Sequence, residues 1–344
     1  MTSIAETWAR LTLADFDSAD APMRACLDLA RVAAQTDLPV LILGESGTGK
    51  TLLARAIHNS SRRAGASFVA FNAAALSDTL LDSQLFGHDR GAFTGAVRAM
   101  KGKFELADGG TLFIDEIADM TAAAQAKILR AVECGEFERL GSEMIRTADV
   151  RLISATHLPL QRYIEAAHFR KDLFYRISGI TVAIPALRER PNDLRALVAR
   201  EIAAASEADG KKIIGLDRRA AERLLAHHWP GNLRELKRVI HSAVAMSTGA
   251  VITADAILLE GVRGRTATDA PIHAPPQRDG DTSSRPTSLD EDLTLRAVEL
   301  RHVHRVLELM HGNKRRAARA LGLSRTTLDR KLGEMASPGR ESRP

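Results

Sequence analysis

Cysteine and long apolar runs are both scarce in this sequence. The chain has 344 residues and two cysteines, Cys26 and Cys134, which lie far apart and outside any metal-ligand spacing. Two reduced, packed thiols are therefore expected, rather than a disulfide scaffold or a cysteine-bound metal. No window approaches the roughly 18 consecutive apolar residues of a membrane span, and Met1–Arg10 lacks the basic-then-apolar order of a secretory signal. These absences predict a soluble, cytoplasmic protein without a membrane partner.

Positive charge is concentrated at the C-terminal end of the chain. The formal net charge is +5, but residues 295–344 hold twelve Lys and Arg against five acids, so this tail is +7 and residues 1–294 are −2. A local excess of positive charge is typical of a module that binds a polyanion. The remaining composition, with 45% hydrophobic and 26% charged residues, excludes collagen-like and fully disordered chains.

The apolar patterns divide the chain into domains. Short apolar runs such as Thr111–Ile114 alternate with helical patterns over residues 17–188, which is typical of a parallel sheet covered on both faces. Over residues 189–260 only helical spacing is found, so a smaller helical domain without strands is expected. Residues 261–291 contain four prolines and three glycines without apolar periodicity and are interpreted as a flexible linker. The remaining predicted parts are a short N-terminal segment (1–16), a helical C-terminal domain (292–336) and a tail (337–344).

A glycine-rich motif lies between a predicted strand and a predicted helix. It fits the pattern GxxxxGKT and consists of Gly44, Glu45, Ser46, Gly47, Thr48, Gly49, Lys50 and Thr51. The glycines let backbone N–H groups turn toward phosphate oxygens, Lys50 can reach the β- and γ-phosphates, and the Thr51 hydroxyl can bind Mg²⁺. The alternative is a glycine-rich turn that binds nothing, and the complete spacing and context disfavour it.

Two adjacent acids end a second apolar strand. Asp115 and Glu116 follow the run Thr111–Ile114. In a nucleotide site, Asp115 would hold the Mg²⁺ shell and Glu116 would polarise the attacking water as a general base. Two acids at a strand end could also form a solvated loop, but their pairing with the glycine-rich motif favours the nucleotide site.

The C-terminal segment has the pattern of a helix-turn-helix. A helical run after Gly312 is followed by a glycine-containing turn, a serine and a second helical run. With Ser324 as N-cap, the first turn of the second helix would meet base edges in the major groove, where Arg325 could pair with a guanine. The alternative is a basic helical hairpin that contacts protein or nothing. The predicted DNA-binding residues are Ser324, Arg325, Thr326, Thr327, Arg330 and Lys331.

A further motif carries a family resemblance. The hexapeptide Gly91, Ala92, Phe93, Thr94, Gly95 and Ala96 suits the tip of a tight loop, although Phe93 could also fold back into the core. Together with the three motifs above, it makes the chain similar to the sigma-54-dependent transcriptional activators, which are bacterial enhancer-binding proteins. The resemblance covers residues 20–260 and 293–335. It implies an α/β AAA+ P-loop NTPase with a parallel sheet, a small helical lid domain and an all-α Fis-type helix-turn-helix at the C-terminus.

The resemblance also implies a mechanism. ATP and Mg²⁺ would bind at the glycine-rich motif, and hydrolysis would move the loop at residues 91–96, pressing Phe93 and Thr94 against the sigma-54 subunit of the RNA polymerase holoenzyme so that the promoter opens. Dimers would bind double-stranded DNA upstream of promoters. Heterologous contacts would then assemble the chain into a closed ring, a hexamer by resemblance.

Five additional residues enter the predicted site by motif matching. Arg170 and Arg176 lie in a segment similar to the one whose arginines reach the nucleotide of the neighbouring subunit, although spacing alone favours ordinary surface arginines. Arg234 resembles the arginine that senses nucleotide within the same subunit, and Thr156 the residue that senses the γ-phosphate. Asn72 matches the asparagine that restrains the glutamate corresponding to Glu116, although strand-end asparagines also cap helices.

Three departures from the family pattern stand out. His157 replaces the usual asparagine after Thr156, a change that bears on the coupling of hydrolysis to loop movement. Gln84 stands where an acid is usual, which could change the salt dependence of loop docking. The segment Asp17–Arg24 differs from the usual one, so no adenine contacts are assigned.

The resemblance leaves regulation and one rival function open. Some twenty residues precede the ATPase core, too few for a sensing domain, so control by a separate inhibitory or co-activating protein, or by expression level, is expected. The rival is a DNA-binding regulator or an inactive subunit of a hetero-oligomer whose nucleotide site only supports assembly. A motor acting directly on DNA is disfavoured by the loop motif.

Overall fold

The structure, a computed structural model, describes residues 10–74 and 77–259, together with six residues near the C-terminus: 313, 314, 316, 318, 327 and 328. The chain divides into two compact units, Met1–Gly264 and Arg265–Pro344. The predicted linker and tail lie outside the described residues. The same holds for five predicted DNA-binding residues: Ser324, Arg325, Thr326, Arg330 and Lys331.

A five-stranded parallel sheet forms the centre of the first unit. The described strands are β1 (Val40–Leu43), β2 (Phe68–Asn72), β3 (Gly87–His88), β4 (Met100–Lys101), β5 (Thr111–Asp115), β6 (Glu136–Glu138), β7 (Ile145–Thr147), β8 (Arg151–Thr156), β9 (Ile180–Ala183), β10 (Gly215–Leu216) and β11 (Val251–Ile252). The main sheet has the order β2-β5-β8-β1-β9, with parallel pairing throughout. The predicted α/β class with a parallel sheet is therefore confirmed.

Helices connect the strands and build the lid. The described α-helices are α1 (Ala21–Ala34), α2 (Lys50–Asn59), α3 (Asp78–Phe86), α4 (Lys103–Leu106), α5 (Ala122–Cys134), α6 (Leu160–Glu165), α7 (Lys171–Ile177), α8 (Pro191–Ala208), α9 (Arg218–Ala226) and α10 (Asn232–Met246). Helix α5 has a capping residue at each end. Thr121 accepts a hydrogen bond from the Ala124 N–H at 3.4 Å, and Gly135 ends the helix in the left-handed conformation.

Both faces of the sheet are buried, as the continuous apolar strands predict. Along β5, Phe113 packs with α1 and α2 on one face, whereas Leu112 and Ile114 pack with α3, α5 and α7 on the other. The carboxyl ends of β1, β2, β5 and β8 therefore open at one edge of a sheet that is held rigidly from both sides, where ligands of open α/β sheets bind.

The edge strand β9 is absent from the sequence prediction. Of its four residues only Val182 is fully buried, because β9 has a single neighbour, β1. A short strand covered on one side lacks the continuous apolar run by which the central strands are recognised.

The lid domain consists mainly of α8, α9 and α10 around a core centred on Trp229. The indole is fully buried and donates to the Leu224 carbonyl at 3.0 Å. The expectation that this region lacks strands is wrong, because β10 and β11 form a parallel pair. Each has two residues, too few to produce a periodic pattern in the sequence.

The two cysteines differ in their surroundings. Cys26 is buried, and this burial raises the pKa of its thiol to about 11. Cys134 is exposed in the last turn of α5, so the expectation of a packed thiol is wrong there. Among the described helices, none has both the length and the apolar character needed to cross a membrane.

Candidate nucleotide site and surface loop

The glycine-rich loop joins the end of β1 to the start of α2, as predicted. Gly47 and Gly49 have φ values of 80° and 102°, in the left-handed region that favours glycine. A Cβ at Gly47 would lie 2.3 Å from the Gly231 carbonyl oxygen of the lid. The loop therefore needs glycine here both for its backbone conformation and for close approach of the lid.

Lys50 is buried beneath this loop. Its Nζ donates to the carbonyls of Gly44 at 3.0 Å and Glu45 at 3.4 Å, and lies 3.5 Å from Oε1 of Glu116. The ammonium thus connects the loop to the acid that follows β5. This is the position from which a lysine can bind the phosphates of a nucleotide.

Asp115 ends β5 beside the start of α2. Burial raises the pKa of its carboxyl, and the neighbouring Glu116 charge raises it further, whereas Lys50 and the Thr51 hydroxyl act in the opposite direction. Thr51 and Asp115 thus bring a hydroxyl and a carboxylate together at the phosphate loop. Oxygen ligands of this kind fit Mg²⁺, which is usually held by one or two protein side chains, phosphates and water.

Glu116 adopts a left-handed conformation, with φ at 54°. Its Oε2 accepts hydrogen bonds from His157, from the backbone N–H at 3.2 Å and from Nδ1 at 2.7 Å. Burial acts to raise the pKa of the Glu116 carboxyl, but the bonds from His157 and the charge of Lys50 outweigh it, so the pKa lies below its ordinary value. Glu116 is therefore an ionised carboxylate directed at the phosphate loop.

The other two strand-end residues lie at the same edge of the sheet. Thr156 is fully buried; its hydroxyl accepts from the Leu158 N–H at 3.1 Å, and its carbonyl accepts from the Gly44 N–H at 3.3 Å. Asn72 is paired in register with Asp115. Its side-chain oxygen accepts from the Ala74 N–H at 2.8 Å, and in the described structure it makes no contact with Glu116.

The lid contacts the phosphate loop through the start of α10. Arg234 donates from Nη1 to the Ser46 hydroxyl at 3.1 Å, and the Leu233 N–H donates to the Gly47 carbonyl at 3.0 Å. Asn232 donates to the Ser46 carbonyl at 3.1 Å. The predicted sensor Arg234 is thus brought directly to the loop.

A cavity of about 250 Å³ opens beside the loop, between the N-terminal segment and the lid. Leu11, Phe16 and Leu233 supply apolar walls, and Arg190 supplies a guanidinium that is 5% exposed. Within the described residues, Nε and Nη2 of Arg190 have no hydrogen-bond partner. A cavity with apolar walls and unused donors has the character of a site for a heterocyclic base.

The structure does not bring Arg170 and Arg176 to this site within one chain. Both are exposed; Arg170 binds Asp172 through two hydrogen bonds, of 2.6 and 3.0 Å, and Arg176 donates to the Val132 carbonyl at 3.2 Å. In the described part of the chain neither contacts residues 44–51.

The hexapeptide at residues 91–96 forms a closed loop between β3 and β4. The Gly91 N–H donates to the Ala96 carbonyl at 2.8 Å, and both Gly91 and Gly95 have positive φ. Thr94 is exposed at the tip, whereas Phe93 is half-buried with its ring 5.0 Å from that of His88. Phe93 therefore packs on the base of the loop and is not part of the cores on either side of the sheet.

A partly buried ion cluster anchors the base of this loop. Arg139 binds both oxygens of Glu105, at 2.7 and 2.8 Å, and Asp89 at 3.0 Å. The backbone of Asp89 also donates to the Leu140 carbonyl at 3.0 Å. The loop is thus rigid at its base and exposed at its tip, which suits a contact surface.

Comparisons with known proteins identify the family. Residues 17–183 match the model of the sigma-54 interaction domain, residues 188–271 that of an AAA+ ATPase lid domain, and residues 294–335 that of the Fis family of bacterial regulatory proteins. The transcriptional regulatory protein ZraR of Klebsiella oxytoca is 42% identical over 314 residues, which are 91% of this chain and 67% of ZraR. The chain belongs to the sigma-54-dependent transcriptional regulators.

Two further known proteins are similar to the chain over most of its length. The hydrogenase transcriptional regulatory protein HoxA of Cupriavidus necator is 42% identical over 314 residues, 90% of this chain but only 63% of HoxA. The crystal structure of NtrX from Brucella abortus in complex with ATP has 30% identity and a TM-score of 0.66, covering 97% of this chain and 72% of that chain. The AAA+ fold and the Fis-type domain expected from the resemblance are confirmed.

Few residues of the regulator's DNA-binding module are described. The Asn313 side chain accepts from the Arg316 N–H at 3.2 Å, which caps a helical segment that includes Lys314 and Arg316. Ala318 and Leu328 are buried, as expected of apolar residues in a small helical domain. Thr327 is half-buried in a helical segment.

Sequence reasoning does not single out three arginines of this regulator: Arg139, Arg188 and Arg190. Arg188 and Arg190 form a charged run with Glu189 before Pro191, which resembles an ordinary exposed helix start. The partners that give these side chains a role are distant in sequence. Only for Arg190 does the sequence contain a signal: this residue lies close to the apolar face of a predicted helix, which favours burial of its guanidinium.

Proposed function

We propose that this chain is a sigma-54-dependent transcriptional activator that uses ATP hydrolysis to remodel sigma-54 RNA polymerase. The carrying observation is that Lys50, Asp115 and Glu116 meet at one sheet edge in the domain that also presents the exposed loop at residues 91–96. A nucleotide site and a partner-binding loop in one domain can be coupled, so that nucleotide binding changes the free energy of partner binding.

The described contacts support a role for each nucleotide-site residue. The backbone N–H groups of residues 44–51 and the Lys50 side chain bind the phosphates. Thr51 and Asp115 would hold Mg²⁺, which would neutralise phosphate charge when bound. Glu116 accepts a proton from the attacking water. Thr156 and Arg234 sense the phosphates. The side-chain oxygen of Asn72 accepts from the Ala74 N–H in this structure, so Asn72 would restrain Glu116 only after that bond is broken. The cavity beside Arg190 takes the purine base.

Assembly of several copies would bring Arg170 and Arg176 to a nucleotide site. Arg170 and Arg176 are exposed and away from the chain's own phosphate loop, so they are available to the nucleotide of a neighbouring copy. An arginine inserted from a neighbour stabilises charge on the γ-phosphoryl, with accelerations of about 10³–10⁵ in other nucleoside triphosphatases. The active form is therefore a ring of copies, a hexamer.

The loop at residues 91–96 contacts the sigma-54 subunit through Phe93 and Thr94. Its exposed tip and anchored base support this role, because movement of the base would be transmitted to the tip. The C-terminal module places the ring upstream of the promoter through Arg325, Thr326 and neighbouring residues, in the cytoplasm. A separate inhibitory or co-activating protein controls the activity.

Open-complex formation tests this function. Purified chain is added to sigma-54 RNA polymerase on a sigma-54 promoter at concentrations high enough to act without an upstream site, with ATP or with a non-hydrolysable analogue. Opening that requires hydrolysable ATP is expected. Intact ATP hydrolysis without opening would contradict remodelling by this chain alone and would favour the hetero-oligomer or a missing co-activating protein.

A further inference from the structure

The carboxylate of Glu116 is held unequally at its two oxygens. His157 donates twice to Oε2, from Nδ1 at 2.7 Å and from the backbone N–H at 3.2 Å. The other oxygen, Oε1, faces Nζ of Lys50 at 3.5 Å. The carboxylate therefore has one oxygen fixed from outside and the other directed toward the phosphate loop.

The donor and acceptor roles in this contact follow from chemistry. An ionised carboxylate can only accept hydrogen bonds, so Nδ1 of His157 must carry the proton of the short contact. His157 follows Thr156 at the end of β8, next to β5, and its side chain is 41% exposed. The imidazole thus reaches Glu116 from solvent without any part in the hydrophobic core.

In the described structure no other side chain holds Oε2 of Glu116. The oxygen of Asn72 is engaged with the Ala74 N–H, and the Thr156 hydroxyl accepts from the Leu158 N–H. Lys50 approaches the opposite oxygen and also donates to two loop carbonyls. The orientation of the carboxylate plane therefore depends on His157.

We propose that His157 is the positioning residue for Glu116: its double hydrogen bond to Oε2 keeps Oε1, the oxygen that faces Lys50 and the phosphate loop, directed to accept the proton of the attacking water. This inference rests on the proposed ATPase function. A glutamate side chain has several rotamers, and a misplacement of about 1 Å can cost on the order of 100-fold in rate. The backbone N–H of residue 157 remains when the side chain is replaced by alanine. Removal of the imidazole should therefore lower the rate by less than about 100-fold.

Two substitutions and a control isolate this role in the full chain. His157→Ala removes the side-chain donor, whereas His157→Asn retains an N–H donor on a short planar side chain. Gln161→Ala changes an exposed polar residue on α6 that makes no hydrogen bond or ion pair with Glu116, His157 or residues 44–51 in the described structure. For each, kcat and KM for ATP, affinity for a fluorescent ATP analogue and assembly state by sedimentation are measured.

The expected result separates chemistry from binding. In His157→Ala, kcat falls about tenfold while KM and analogue affinity stay within about twofold, the signature of an interaction used only in the reaction step. His157→Asn should recover most of the rate, and Gln161→Ala should match the wild type in every readout.

Several outcomes would overturn the inference. A kcat for His157→Ala equal to or above that of the wild type would show that the imidazole does not position the base. A loss in His157→Asn as large as that in His157→Ala, or a parallel loss of analogue affinity, would also do so. A wild-type chain without ATPase activity would instead overturn the proposed function, and with it the step assigned to His157.

Discussion

The Glu45 carboxylate accepts hydrogen bonds from both arms of the Arg188 guanidinium, from Nη2 at 2.6 Å and from Nη1 at 2.9 Å. Asn232 of the lid donates to the same carboxylate at 3.1 Å. The first variable position of the phosphate loop is therefore tied to the short 3₁₀-helix Leu187–Glu189 that precedes the lid and to the lid itself. Lid and phosphate loop are thereby coupled in position.

Arg188→Ala should lower nucleotide affinity and have only a small effect on the free energy of unfolding. Both side chains are about two-fifths exposed, so the loss in unfolding free energy should stay below about 1 kcal/mol. The loss of lid coupling should weaken ATP-analogue binding about fivefold, at the lower end of coupling free energies between sites. Titration with a fluorescent analogue and urea denaturation measure the two quantities.

A surface ion pair elsewhere on the lid provides the control. Arg218 binds Glu222 within α9 and is 92% exposed, and it makes no contact with the phosphate loop in the described structure. Arg218→Ala should leave analogue affinity unchanged. Equal losses of affinity in the two variants would mean that the Glu45–Arg188 pair has no special role.

Gly47→Ala should separate the lid from the loop. The added Cβ would lie 2.3 Å from the Gly231 carbonyl oxygen, and the φ of 80° is itself unfavourable for alanine. Backbone cannot yield as a flexible side chain can, so a cost of about 1–3 kcal/mol falls on the closed arrangement. Nucleotide affinity should drop about tenfold or more, as measured by analogue titration.

Gly65→Ala serves as the matched control, because nothing lies within 4 Å of its Cβ position. It should change unfolding free energy by no more than about 0.5 kcal/mol and leave affinity unaltered. Wild-type affinity in Gly47→Ala would show that the approach of the lid is not needed for binding.

The parts of the site that could be predicted from sequence are those carried by one continuous segment. The glycine-rich loop, the acids after β5 and helix α5 each contain their own strand, turn or capping signal. Local backbone preference and apolar periodicity act over a few residues, so such segments can be interpreted without knowledge of their neighbours.

The contacts that could not be predicted join segments far apart in the chain. Glu45 and Arg188 are 143 residues apart, and Glu116 and His157 are 41 apart. Their meeting depends on the order of strands in the sheet and on closure of the lid, neither of which leaves a local pattern. For the same reason Asn72, although in register with Asp115, is predicted to contact Glu116 and instead bonds its own turn.

The ion cluster at the base of the surface loop should make stability depend on pH. Hydrogen bonds from Arg139 lower the pKa of the Glu105 carboxyl below its ordinary value, and burial opposes them without cancelling them. A carboxyl whose pKa is lower in the folded state contributes stability that is complete above its unfolded pKa, about 4.3, and is lost as pH falls through the folded pKa.

Glu105→Gln should therefore lower the free energy of unfolding by about 2 kcal/mol near pH 7, with the difference from wild type shrinking below about pH 4.3. Urea denaturation across this range measures it. Glu222→Gln, which alters an exposed pair on the lid, should cost no more than about 0.5 kcal/mol. A Glu105→Gln difference that stays constant down to acidic pH would argue against an ionic origin.

Thr94→Ala should separate ATP hydrolysis from promoter opening. Thr94 is exposed at the tip of the loop, and the bonds that close the loop, between Gly91 and Ala96 and between Ala96 and Phe93, use backbone groups only. Loss of the Thr94 hydroxyl should therefore leave the loop and the sheet edge intact. ATP hydrolysis should stay within about twofold of wild type, while open-complex formation falls at least about tenfold, the size of effect for a contact worth about 1.4 kcal/mol.

Three further substitutions serve as comparisons for Thr94→Ala. Lys50→Ala should weaken nucleotide binding, and Glu116→Ala should bind ATP without hydrolysing it, because the two residues act on phosphate and on water respectively. Val97→Ala, at a 73% exposed position beside the loop, should retain both hydrolysis and opening. If Thr94→Ala lost hydrolysis together with opening, the loop would be a structural part of the ATPase and its tip would not be the surface that meets the polymerase.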